Sequence, residues 1–131
     1  MKLLLDTHIW LWSLRDPVRL TRRVVGALEN KANELWLSPL SVWEVLVLSE
    51  KGRISLSTAA DEWRAEALKK VPMKERPITL EVTLQMGGVR LPHRDPVDHF
   101  LAATARLFDL TLVTADTRLL AGRGFLTLAN R

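Results

Sequence analysis

Three short apolar runs, each ending at a polar stop and followed by a stretch long enough for a helix, constrain this chain more than any other feature. Leu3-Leu4-Leu5 ends at Asp6, Glu34-Leu35-Trp36-Leu37 at Ser38-Pro39, and Leu110-Thr111-Leu112-Val113-Thr114 at Ala115-Asp116. Runs this short and this apolar read as buried strands. Helical patterns cover residues 21–31, 39–51, 58–71, 80–89 and 96–108, with a shorter one over 117–121 and a weaker strand candidate over 76–79. Strands alternating with helices predict an α/β fold in which a central parallel sheet is flanked by helices on both faces, an α/β/α sandwich. At 131 residues the chain is expected to form one domain, with residues 53–72 as a helical excursion between Lys51-Gly52-Arg53 and Val71-Pro72.

Cysteine is absent, which excludes disulfide frameworks, thiolate zinc sites, iron-sulfur clusters and cysteine nucleophiles. The first apolar run meets a carboxylate at Asp6, too soon for a signal-peptide core or a membrane span, so a cytoplasmic protein without membrane association is expected. A net charge of +4 suits a polyanionic partner without demanding one.

In a parallel α/β sheet, strand C-termini and helix N-termini share the edge where ligands bind. Asp6 and Asp116 follow two strands, Ser38-Pro39 starts the helix that carries Glu44, and Asp95-Pro96-Val97-Asp98 starts another. Asp6, Glu44, Asp95, Asp98 and Asp116 are therefore expected at one rim. Each also has a plainer use: Asp95 with Asp98 as a capping box, Asp116 or Asp6 as a helix cap. Glu44 is the hardest to explain that way, because Leu40, Ser41, Val47 and Leu48 share its helix face and none is basic.

Two carboxylates about 4 Å apart repel by roughly 4 kcal/mol at an effective dielectric near 20, so a converging set needs a cation or protons. Oxygen donors without cysteine favour Mg²⁺ or Mn²⁺ over structural zinc. His8, His93 and His99 could add a nitrogen ligand, but they match no zinc spacing, and places at the surface or in helix packing are expected for each.

Taken together, Leu4-Leu5-Asp6-Thr7-His8, Ser38-Pro39-Leu40-Ser41-Val42-Trp43-Glu44, His93-Arg94-Asp95-Pro96-Val97-Asp98 followed by Leu101-Ala102-Ala103, and Leu112-Val113-Thr114-Ala115-Asp116 resemble the PIN domain family, and within it the VapC ribonuclease toxins of prokaryotic toxin-antitoxin modules. The resemblance spans nearly the whole chain. It implies a PIN-like sandwich and a Mg²⁺-dependent endoribonuclease in which Asp6, Glu44, Asp98 and Asp116 are catalytic and metal-binding, with Thr7, Asp95 and Thr114 as accessory positions. It also implies an RNA substrate, a cognate antitoxin and a homodimer. Val97 and His99 depart from the Phe and Arg frequent in these toxins, which bears on substrate or partner contacts rather than on the metal.

Arg15, Arg22, Arg94 and Arg118 are the candidate contacts to a nucleic-acid backbone, among a wider basic set that includes Arg19, Arg23, Lys31 and Arg90. Five of the eight aromatics are tryptophans. Trp36 and Trp43 are expected in the core, one of Trp10 and Trp12 against a partner, and Trp63 against a second subunit or an antitoxin; base stacking is another use for an exposed indole. A non-catalytic RNA-binding or adaptor PIN domain is the alternative, but such a domain has no need for the complete acidic quartet. An Asp6 phosphoenzyme of the haloacid dehalogenase or receiver type lacks its companions: His8 stands where the former has a second Asp.

Overall fold

The computed structural model describes residues 1–131, and its organisation follows the apolar runs. Strands β1 (Lys2–Leu5), β2 (Glu34–Leu37), β3 (Lys74–Glu75), β4 (Thr111–Thr114) and β5 (Leu126–Ala129) form one sheet in the order β3-β2-β1-β4-β5. Every pairing is parallel, with Leu4 opposite Trp36 on one side and Leu112 on the other. Helices α1 (Thr7–Arg15), α2 (Arg22–Glu29), α3 (Pro39–Glu50), α4 (Ala60–Lys70), α5 (Leu80–Leu84), α6 (Pro96–Phe108) and α7 (Thr117–Leu120) connect and cover it.

The pleat sends Leu3 and Leu5 to one face and Leu4 to the other, and these three fully buried residues found two cores. Leu3 and Leu5 pack with Ile9, Trp10, Val24 and Val45, whereas Leu4 packs with Leu101, Ala105, Leu112 and Leu119. The chain is thus an α/β/α sandwich.

Several expectations are corrected. Residues 7–15 form a helix that no periodic signal marked, because Ile9-Trp10-Leu11 is apolar without interruption and those residues are all buried. The third strand lies at Lys74–Glu75 and not at 76–79, where Pro77 has no amide to lend a ladder. The strand Leu126–Ala129 was not anticipated; its exposed Leu126 and Thr127 belong to a sheet edge. A turn at Gly124 (φ +95°) leads into it, and a Cβ there would stand 2.2 Å from the Gly88 carbonyl oxygen, so only glycine fits.

Within residues 53–72, helix α4 packs inward. Trp63 and Ala67 of α4 join the core beneath α1, with Trp63 edge-on to Trp10 at 5.3 Å between ring centroids. Trp63 therefore has no face for a second subunit or an antitoxin. Trp43 is corrected in the opposite sense: it is 54% exposed, because its neighbours Val42 and Val45 turn inward instead. Trp36 is half-buried, covered by the Arg76 guanidinium at 4.2 Å from its centroid.

Candidate functional site

The sheet order reverses at β1, whose neighbours β2 and β4 are reached by connections running in opposite directions, and this opens a crevice at the strand C-termini. The ladder continues one residue beyond β1: the Asp6 amide donates to the Val113 carbonyl at 3.0 Å. That places Asp6 beside Thr114, whose hydroxyl donates to Asp6 Oδ2 at 2.7 Å. Asp6 Oδ1 accepts from the Thr7 amide at 2.8 Å and so caps α1 as well.

The other acids arrive from separate segments. Buried Ser38 caps α3, and its following Pro39 sets the direction that brings Glu44 back over the crevice, where Thr7 Oγ1 donates to Glu44 Oε1. Asp95 caps α6 by accepting from the Val97 amide at 3.0 Å. Asp98 does not close a capping box; its Oδ2 meets His93 Nε2 at 2.6 Å. Asp116 caps α7 and is bound by Arg118, Nη2 to Oδ2 at 3.0 Å. The capping and site readings are therefore compatible for Asp6, Asp95 and Asp116, because a helix N-terminus and a strand C-terminus meet at the same edge.

Asp6, Glu44, Asp95, Asp98 and Asp116 line one open cavity of about 310 Å³ together with His8, Trp12, Ala115 and Arg118. A larger hollow of about 600 Å³ beside Leu20, Val25 and Leu35 has no such convergence of charge; chemistry, not size, singles out the acidic one. Thr7 and Thr114 stand behind this cavity as buried hydroxyl donors.

The electrostatics follow from burial. Asp6 is pushed above the ordinary carboxylate range by burial and by Asp98, against the opposing hydrogen bond from Thr114. Glu44 is pushed up to about 7, by burial first and then by the charges of Asp6, Asp98 and Asp95. Asp98 is raised by burial, partly offset by the His93 hydrogen bond, with Asp95 and Asp116 adding repulsion. Asp116 alone goes down: burial opposes ionisation there, but the hydrogen bonds and charge of Arg118 outweigh it.

This donor set fits a hard cation. Burial first, and then their mutual repulsion, makes three of the acids hold protons more tightly than usual, Arg118 hydrogen-bonds Asp116 alone, and the donors are oxygens. No three acidic or imidazole side chains are already gathered closely enough to hold a metal ion. They face a shared cavity, an arrangement that suits an ion such as Mg²⁺, which keeps several of its waters.

The four arginines fall in different places. Arg118 lines the cavity. Arg15 donates to the Ser55 carbonyl at 2.6 Å on another side of α1, while Arg22 and Arg94 are exposed and outside the cavity lining. His93 was assigned to the surface or to helix packing; instead its side chain is only 11% exposed and joined to Asp98. The only hint in the sequence was its position in the turn just ahead of Asp95-Pro96. His8 and Trp12, four apart on α1, are two further wall residues that the acidic motifs did not point to.

Comparison with known proteins gives the family and the fold. Residues 3–123 match the PIN domain family. Ribonuclease VapC22 of Mycobacterium tuberculosis is 32% identical over 123 residues, covering 92% of this chain and 91% of that protein. Among solved structures, VapBC2 from Rickettsia felis bound to a promoter DNA fragment aligns with TM-score 0.74 at 14% identity, over 98% of both chains. The DNA-bound VapBC from Salmonella typhimurium aligns with TM-score 0.70 at 17% identity, over 100% of this chain and 99% of that one.

Proposed function

The chain belongs to the PIN domain family and is of its VapC toxin type, and from that premise we propose that it is a divalent-metal-dependent endoribonuclease hydrolysing RNA phosphodiester bonds, the toxin of a type II toxin-antitoxin pair. The observation that carries the reading is the meeting of Asp6, Glu44, Asp98 and Asp116, drawn from four separate segments, at one cavity.

Asp6 and Asp98 would hold Mg²⁺ or Mn²⁺ most directly, with Glu44 and Asp116 ligating directly or through water. A bound divalent ion supplies concentrated positive charge that offsets the carboxylates, stabilises phosphate charge and acidifies water. The chain's own groups prepare the site. Thr114 and the Thr7 amide fix the Asp6 carboxylate from both oxygens, Thr7 Oγ1 orients Glu44, and His93 orients Asp98. Asp95 holds the first turn of α6 and adds negative charge at the rim. Arg118, exposed and already at the cavity, exchanges its Asp116 partner for a phosphate oxygen when RNA arrives. The N-termini of α1 and α6 at this edge favour a phosphate as well.

The solved relatives from R. felis and S. typhimurium are VapBC assemblies, which supports a cognate antitoxin as partner. The same reading makes the active protein a homodimer acting in the cytoplasm; no helix is long and apolar enough to cross a membrane. The test is cleavage of RNA by purified protein with Mg²⁺ and with EDTA. Asp6→Asn and Asp98→Asn should each lower the rate by at least about 100-fold while the fold persists. RNA binding without Mg²⁺-dependent turnover would replace the nuclease by the adaptor alternative.

A further inference from the structure

We propose that Trp12, with His8 and Arg19, forms a stacking subsite for a nucleotide base of single-stranded RNA immediately beside the acidic cavity; the proposal rests on the nuclease reading for the identity of its ligand. Asp6 caps α1, and His8 and Trp12 lie four residues apart on one face of that helix, where both line the cavity. Their rings stand 5.9 Å apart at 53°, forming an aromatic wall next to a carboxylate floor. Trp10, two residues earlier on another face, is fully buried against Trp63, whereas Trp12 rests on the same core with part of its ring and reaches the cavity with the rest.

Trp12 packs partly against the core but keeps part of its ring at the cavity. The Arg19 guanidinium lies 5.5 Å from its ring centroid, and Arg19 remains largely exposed while its Nε pairs with Asp16 Oδ2 at 3.0 Å. His8 is exposed. An acidic floor, an aromatic wall on α1 and the Arg19 cation four residues past the end of that helix parallel what a strand of RNA presents: a phosphate to be hydrolysed, a base with a π-face, and a further phosphate. Stacking on an indole is tolerant of base identity, because every base has such a face, and cation–π contact with arginine strengthens the platform.

The test measures binding of a short, unstructured, fluorescein-labelled RNA by anisotropy in EDTA, so that no turnover intervenes, alongside Mg²⁺-dependent cleavage by the same proteins. Trp12→Ala should weaken binding about tenfold, His8→Ala by a smaller factor, and Trp12→Phe should retain most of the affinity. RNA should quench wild-type indole emission, and the quenching should fall sharply in Trp12→Phe. His8→Ala removes only an exposed ring, which keeps the test valid if Trp12→Ala folds poorly. Cleavage and binding by Trp12→Ala and His8→Ala at wild-type levels would overturn the subsite and leave the nuclease reading intact. Trp12-dependent binding without cleavage would uphold the subsite and refute the nuclease. A wild-type protein that neither binds nor cleaves RNA overturns both.

Discussion

Thr114 Oγ1 donates to Asp6 Oδ2 at 2.7 Å, joining the ends of β1 and β4 across 108 residues of chain. Both partners are buried, so this bond fixes one carboxylate oxygen where water cannot replace the donor. The same hydroxyl accepts from the Asp116 amide at 3.0 Å, which makes Thr114 the hinge between two of the four acids.

Replacing it tests that role. Thr114→Val keeps the shape and removes the hydroxyl, and should cost roughly 1 to 3 kcal/mol, while Thr114→Ser should recover most of the loss. Thermal denaturation of both variants, alone and combined with Asp6→Asn, provides the check. A valine variant as stable as the wild type would mean that the bond contributes nothing.

Glu44 should make stability depend on pH in a particular direction. Its carboxyl, pushed up to about 7 from an ordinary 4.5, keeps its proton in the folded chain where the unfolded chain has lost it. The stability tied to that proton is complete below about pH 4.5 and is lost as pH rises through about 7. Because the side chain is partly exposed, solvent screening reduces the effect to the order of 1 kcal/mol. Glu44→Gln should accordingly match the wild type near pH 4.5 and exceed it at pH 8 by that amount, a shift of about 4 °C in Tm. Urea titrations at the two pH values decide it, and an identical gain at both would contradict the assignment.

A divalent ion should relieve the same repulsion. At about 100 times its Kd, Mn²⁺ should stabilise the protein by about 2.7 kcal/mol, and EDTA should reverse this. Asp6→Asn and Asp98→Asn should be close to the wild type without the ion and gain much less from it. Binding should release protons between pH 6 and 7, since Glu44 must ionise to join the site. Calorimetry in two buffers of different ionisation enthalpy measures that release directly; equal gains in all three proteins would place the ion elsewhere.

His93 should govern Asp98. Once Asp98 is ionised, as a bound cation requires, its carboxylate only accepts and His93 Nε2 is the donor in their 2.6 Å contact, while the His99 ring donates to the His93 carbonyl at 2.8 Å to hold the turn. His93→Ala should weaken Mn²⁺ binding about 10- to 100-fold, and His93→Gln, which keeps a donor, should lose less. Titration calorimetry reads both, and alanine binding as tightly as wild type would remove His93 from the site.

The tryptophans should divide by burial. Trp43→Ser on the surface should change stability by no more than about 0.5 kcal/mol, whereas Trp10→Ala in the core should cost roughly 3 to 5 kcal/mol. Chemical denaturation is sufficient to compare them.

Much of the frame was legible in the sequence. Leu3 to Leu5, Leu35 to Leu37 and Leu112 to Thr114 announce strands because each run is apolar and brief, and Ser38-Pro39 and Asp95-Pro96 announce helix starts because capping is local chemistry. Parallel strands with intervening helices then place the acids at one edge. The helix at 7–15 stayed hidden because its inward and outward residues do not contrast, and the strand at 126–129 because half of it is exposed.

What only the tertiary structure decided is which groups meet. Local sequence assigns Asp6 to the end of a strand, but its proton affinity depends first on its burial and then on Thr114 and Asp98, which lie over ninety residues away. His93 became the partner of Asp98 through a turn that no periodicity encodes, and the packing of α1 buried Trp10 fully while leaving part of Trp12 at the cavity. Periodicity and capping act over a few residues and can be read along the chain, whereas burial and Coulomb repulsion depend on distances set by the whole fold.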